Sequence, residues 1–147
     1  MREDAVYKRL GSHPLILNYN GKVLVHENVY SLKIKHALGC LCTFVLNCPA
    51  LSKEIRLAMA VQVAAAIAYI YSKNVIHADF STRNVFIFNN WQLKLGDFSG
   101  SRIDNQGAIG AEEILYQLPR FRRAWRELDK IKRELFALNC GIYEIIT

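Results

Sequence analysis

The chain has 147 residues, an apolar fraction of 52% and a formal net charge of +6. That length fits one domain, and that apolar content excludes a disordered chain and supplies enough side chains for a core. The charge is concentrated between Arg120 and Glu134, where seven basic and three acidic residues account for most of the excess.

No apolar run follows Met1-Arg-Glu-Asp, so no signal peptide is expected. The longest apolar stretch, Leu57–Tyr71, is broken by Gln62 and is short for a bilayer span. A cytoplasmic or nuclear protein without a transmembrane segment is the expectation. Cys40, Cys42, Cys48 and Cys140 sit among Leu, Phe and Val without a zinc spacing, and read as buried free thiols of a reducing compartment.

In chain order, Ala5, Val6, Tyr7 and Leu10 fit the end of a helix capped by Gly11. His13-Pro14 then opens an extended run. Leu15–Tyr19, Asn20-Gly21 and Lys22–His26 predict strand, turn and strand, with Val29–Ile34 as a further strand. Leu41–Val45 predicts a short helix ended by Cys48-Pro49. Ser52 is a good N-cap for a long helix, with Glu54 in its first turn. Ile55, Met59, Val63, Ala66 and Ile70 form one apolar stripe of that helix. Leu57, Val61, Ala64 and Ala68 form another, which predicts burial nearly all round.

Val85–Phe88 and Trp91–Leu95 flank Asn89-Asn90 and predict a β-hairpin. Asn84 precedes its first strand and Asp97 follows its second. An antiparallel return brings the two to the same open end, with Asp79 on the entering loop. An amide and a carboxylate side by side, with a second carboxylate nearby, suit a hard cation that takes oxygen ligands and bridges phosphates. Beyond the loop Ser101–Gly110, Phe121, Trp125, Leu128 and Leu135, with Ile131 beside them, are spaced as a helix stripe. The basic residues fall on the remaining face. With Glu127 and Asp129 interleaved, that face reads as solvated and argues against a nucleic-acid or membrane-surface partner.

The stretch His77-Ala78-Asp79-Phe80-Ser81-Thr82-Arg83-Asn84, followed by Asp97-Phe98-Ser99-Gly100, resembles the catalytic core of the eukaryotic protein kinases. The wider pattern most resembles fungal kinase-domain proteins. The resemblance implies an α+β fold, with residues 1–39 as the end of the small lobe and the hinge. Residues 40–147 would be the first part of the helical large lobe, up to its central helix. It implies ATP and Mg²⁺ as cofactors and a protein substrate. Asp79 would accept the substrate hydroxyl proton, and Asn84 and Asp97 would hold Mg²⁺. Phe86, Asn84, Asp97 and Glu3 would border the nucleotide. Lys33–Gly39 would be the hinge that touches adenine, and Glu134 would bond the catalytic-loop backbone.

This chain also departs from the family pattern. The Arg that receives an activation-loop phosphate is Ala78 here, and a clear Ala-Pro-Glu motif is absent, with Ala111-Glu112-Glu113 and Leu118-Pro119-Arg120 as poor substitutes. The glycine-rich loop and the phosphate-pairing Lys would lie upstream of Met1. Without that Lys, Glu3 is expected to be a solvated helix-end residue with no functional pairing. The expectation is a kinase domain cut at both ends, with impaired transfer and with Leu135, Phe136, Leu138, Ile142 and Ile145 partly exposed for a partner chain to cover. The alternatives are a pseudokinase-like binding or scaffold remnant and a small-molecule kinase of the aminoglycoside or choline type.

Overall fold

The computed structural model describes residues 2–26, 28–104, 110–119 and 128–147. Helix α1 (Arg2–Leu10) carries Glu3 and Asp4 in its first turn and Lys8 and Arg9 in its last, the arrangement its dipole favours. The Gly11 amide closes it on the Tyr7 carbonyl at 2.9 Å. The Tyr69 hydroxyl of a later helix caps the Leu10 carbonyl.

Strands β1 (Tyr19–Val25) and β2 (Asn28–Ile34) form an antiparallel ribbon. Asn20-Gly21 is not its turn. The pair sits inside β1 as an irregularity between Tyr19 and Lys22, where Gly21 adopts φ 105°. The chain reverses after Val25 instead, with His26 at φ 49°. Leu15–Leu17 passes beside the later hairpin: the Leu17 amide donates to the Leu95 carbonyl and the Leu95 amide to the Leu15 carbonyl, both at 2.8 Å.

Strand β3 (Gly39–Cys40) leads into α2 (Leu41–Asn47). Helix α3 (Lys53–Ser72) starts as expected, with the Ser52 hydroxyl accepting from the Ile55 amide at 3.4 Å. By length and composition α3 is apolar enough to cross a membrane, yet Met59, Val63, Ala66, Ile67 and Ile70 lie in the core of this fold. Burial all round does not hold: Leu57 and Val61 of the second stripe are 62% and 61% exposed. Arg56 is buried instead, donating to the Ile145 carbonyl at 2.7 Å. It thus satisfies a carbonyl of the last turn of α4 (Lys130–Ile146).

Strand β4 (Val75–Ile76) pairs with β7 (Arg102–Ile103). Between them, β5 (Val85–Ile87) and β6 (Leu93–Leu95) make the expected hairpin, with β3 on the other edge of β5. Its turn is wider than Asn89-Asn90, since Asn90 and Trp91 both take φ 58°. Helix α4 begins at the Asp129 cap; Phe121 and Trp125 of the expected stripe lie outside the described residues. Leu135 is exposed, but Leu138 and Ile145 are buried, because that face packs on α3. Arg133, expected on the solvated face, is buried in an ion pair with Glu112 at 2.6 Å. All four thiols are free and only half-buried.

Candidate active site

The hairpin places the site. The Gly96 amide donates to the Asn84 carbonyl at 2.9 Å, so the residues before β5 and after β6 are hydrogen-bonded neighbours. Asp97 follows Gly96 directly, with an exposed side chain and φ 54°. The Asn84 amide nitrogen donates to the Asp79 carbonyl at 2.8 Å, which leaves the amide oxygen as the free acceptor. Asp79, Asn84 and Asp97 are therefore brought together as expected.

The approach at Gly96 is close. A Cβ there would lie 2.9 Å from both Leu17 Cδ2 and Phe86 Cε2. Phe86, half-buried on β5, thus sits beside the backbone that leads into Asp97 and across the strand from Cys40.

Glu3 differs from expectation. It is half-buried rather than solvated, and its carboxylate accepts from the Phe98 amide at 3.3 Å. The physical reason is helix placement: α1 lies along the segment after Asp97, so its first turn meets an amide there. Burial and then the Asp97 charge push the Glu3 carboxyl up. Asp79 is pushed up to about 6, first by burial and then by Asp97, Glu113 and Glu112. The cleft thus gathers more negative charge than its surroundings relieve. Asp97 is also touched by Ser99, whose hydroxyl donates to Oδ1 at 2.8 Å.

The backbone at His77 and Ala78 is held from below. The Glu134 carboxylate accepts from the His77 amide at 2.9 Å and the Ala78 amide at 3.4 Å, as anticipated. Burial pushes its carboxyl up to about 8. His77 is wholly buried, with Nε2 on the Gly96 carbonyl at 2.9 Å. Above it runs a column of rings. His77 meets Phe98 at 5.1 Å, Phe98 meets Tyr7 edge-on at 5.2 Å, and Tyr7 stacks on Tyr19 at 5.1 Å. The Tyr19 hydroxyl ends on Asp4, which also pairs with Lys22 at 2.8 Å.

Several residues of this neighbourhood carry no local sequence signal. Lys22, Arg9, Asp104, Glu112 and Arg133 are ordinary charged residues whose partners lie elsewhere in the chain, and Asp4, besides its local partner Lys8, is held by Tyr19 and Lys22.

The site's parts and spacing match a family. The family model for protein tyrosine and serine/threonine kinases matches residues 1–139. The chain belongs to the protein kinase family. It is 30% identical over 156 residues, all of this chain, to the tyrosine-protein kinase transforming protein Abl of Abelson murine leukemia virus, covering 20% of that protein. It is 31% identical over 91 residues to the mouse serine/threonine-protein kinase Nek4, covering 59% of this chain and 11% of Nek4. It is 25% identical over 138 residues to the mitogen-activated protein kinase HOG1 of Arthrobotrys oligospora, covering 85% of this chain and 39% of that kinase. The chain thus spans well under half the length of these curated relatives. The kinase-like α+β architecture agrees with the match, and the two tyrosine and serine/threonine branches are represented at similar identity.

Proposed function

We propose that this chain is the catalytic region of an ATP-dependent protein kinase that transfers a phosphoryl group to a protein hydroxyl. The observation that carries the reading is the junction of Asp79, Asn84 and Asp97 at the open end of one hairpin. In it Asp79 takes the proton of the substrate hydroxyl, and its carboxyl, titrating near 6, is suited to exchange a proton near neutral pH.

The residues fit Mg²⁺. Asn84 offers an amide oxygen and Asp97 a carboxylate oxygen not engaged by Ser99. Among the described residues no group of three His, Cys, Asp or Glu gathers as a metal cage. Few protein oxygens, with the rest from phosphate and water, are what Mg²⁺ commonly takes. When bound, the ion neutralises phosphate charge. The crowding of Glu3, Asp79 and Asp97 gives a local excess of negative charge that a cation relieves.

Phe86 borders the adenine, and residues 33–39 form the hinge. The 147 residues contain no glycine-rich phosphate loop, and among the described residues no Lys is paired with Glu3, so transfer by this chain alone is expected to be slow. Loss of one preorganised charge partner costs on the order of a hundredfold. The protein works inside the cell on a protein substrate, and further protein covers the apolar cleft of about 720 Å³ that includes Leu46, Leu115 and Tyr143.

The test is a titration with ATP in the presence and absence of Mg²⁺, monitored by calorimetry, on the wild type, Asp97→Asn and Asn84→Ala. Binding that requires Mg²⁺ and falls at least tenfold in both variants is the expected result. Failure of the wild type to bind MgATP overturns the reading and leaves a non-catalytic binding module.

A further inference from the structure

Helix α1 touches the segment after Asp97 at both of its ends. At the N-terminal end, Glu3 accepts from the Phe98 amide at 3.3 Å, and Arg2 Nη1 donates to the Ser101 carbonyl at 3.0 Å. At the C-terminal end, Arg9 makes a fork on Asp104, with Nη1 on Oδ1 at 3.0 Å and Nη2 on Oδ2 at 2.9 Å. The same guanidinium reaches the Lys73 carbonyl at the end of α3, at 3.4 Å. Asp104 is itself fixed. Its amide donates to the Asn74 carbonyl at 3.1 Å, and its carbonyl accepts from Arg102 Nε at 2.8 Å.

Two attachments along one helix fix its rotation and its tilt, whereas one leaves a pivot. Phe98 and Asp97 lie at one attachment, and Asp104 is the other. An exposed ion pair of this kind adds little to overall stability, and a bidentate arginine fork adds geometry more than energy. The far attachment therefore acts on alignment.

We propose that Arg9 and Asp104 are positioning residues for Asp97: their ion pair holds α1 against the segment that follows Asp97, by a charge fixed in the sequence rather than one added by modification. Of the hydroxyls in and near this segment, Ser99 is exposed and donates to Asp97 itself, whereas Ser101 is buried, with its hydroxyl on the His77 carbonyl at 3.0 Å, and Tyr116 is buried against Thr82. The latter two are not open to phosphorylation in this arrangement. The neck of the segment is closed as well. Gly110 donates to the Gly100 carbonyl at 3.1 Å, and a Cβ on Gly100 would come within 2.7 Å of Gly110 Cα. The importance of positioning Asp97 rests on the kinase reading above.

The test uses the 147-residue chain with Asp104→Asn, Arg9→Lys and the charge swap Arg9→Asp with Asp104→Arg. Hydrogen exchange at the Phe98 amide, followed by NMR at neutral pH without nucleotide, reports the near attachment directly. The expected result is about fivefold faster exchange at Phe98 in each single variant and a return to within about twofold in the swap. The amides of Ile142 and Ile145 on α4 are expected to stay unchanged. Unaltered Phe98 exchange in the single variants overturns the proposal. So does acceleration of Phe98 and α4 together, which would mean general destabilisation. Should Asp104→Asn fail to fold, Arg9→Lys decides alone, because it keeps the charge and loses the fork. Absence of MgATP binding by the wild type would defeat the kinase reading and leave the Phe98 result to judge the clamp.

Discussion

Asp79→Asn is expected to stabilise the fold while it removes the proposed base. Asp79 titrates near 6 in the folded chain against an ordinary 3.8, with burial as the main cause and three neighbouring acidic residues adding to it. A shift of that size corresponds to about 3 kcal/mol against the charged form if fully retained. Asp79 is only partly buried, and screening reduces this to about 1 kcal/mol. The folded pKa lies above the unfolded one, so the folded state binds the proton more tightly. Its contribution is therefore fully present below pH 3.8 and is lost as pH rises through 6. Asparagine carries no charge at any pH and escapes the loss. Urea denaturation at pH 7.5 should show the variant more stable by about 1 kcal/mol, or about 2–4 °C in Tm. At pH 4 the two proteins should nearly coincide. A variant less stable than wild type at pH 7.5, or equally stabilised at both pH values, would refute the reasoning.

Glu134→Ala leaves the buried His77 and Ala78 amides without their acceptor, at about 1–3 kcal/mol each; urea midpoints measure the loss. Because the Glu134 carboxyl is pushed up to about 8, wild-type stability should decline as pH rises through 8, and Glu134→Gln should flatten that decline in a pH series of melts. Gly96→Ala drives a Cβ into Leu17 and Phe86 and should cost about 1–3 kcal/mol, read by denaturation, with weakened MgATP binding by calorimetry. Ser99→Asp places a second negative charge two residues from Asp97 and should weaken Mg²⁺-dependent nucleotide binding with little change in Tm.

The parts of this fold that sequence alone revealed are those fixed by neighbours in the chain. Ser52 caps α3, Gly11 ends α1, and Asn84 and Asp97 flank a short hairpin, all within a few residues of what they control. Glu134 was legible from family resemblance. The misread positions answer to distant partners. Asn20-Gly21 has turn chemistry, but the β1–β2 pairing absorbs it as an irregularity. Leu57 and Val61 carry the right hydropathy for burial, yet nothing in the described chain covers them. Arg56, Arg133 and Lys94 look like surface cations, and each is buried on acceptors that lie elsewhere: the Ile145 carbonyl, the Glu112 carboxylate and the Pro14 carbonyl. Glu3 looks in sequence like a solvated helix-end residue, whereas its partner in the fold is an amide 95 residues downstream.

The ring column from His77 through Phe98 and Tyr7 to Tyr19 draws on four separate pieces of chain. None of its contacts joins residues within one element, and the Tyr7–Phe98 contact spans most of the sequence. Closing such loops costs entropy that only later contacts offset. The column therefore belongs among the last features to form during folding and the first to be lost on partial opening. A molecule that has reached its secondary structure but not its long-range contacts would have every residue of the site and no aligned Asp97. Alignment of this site is tied to completion of the fold, so half-folded chains do not present it.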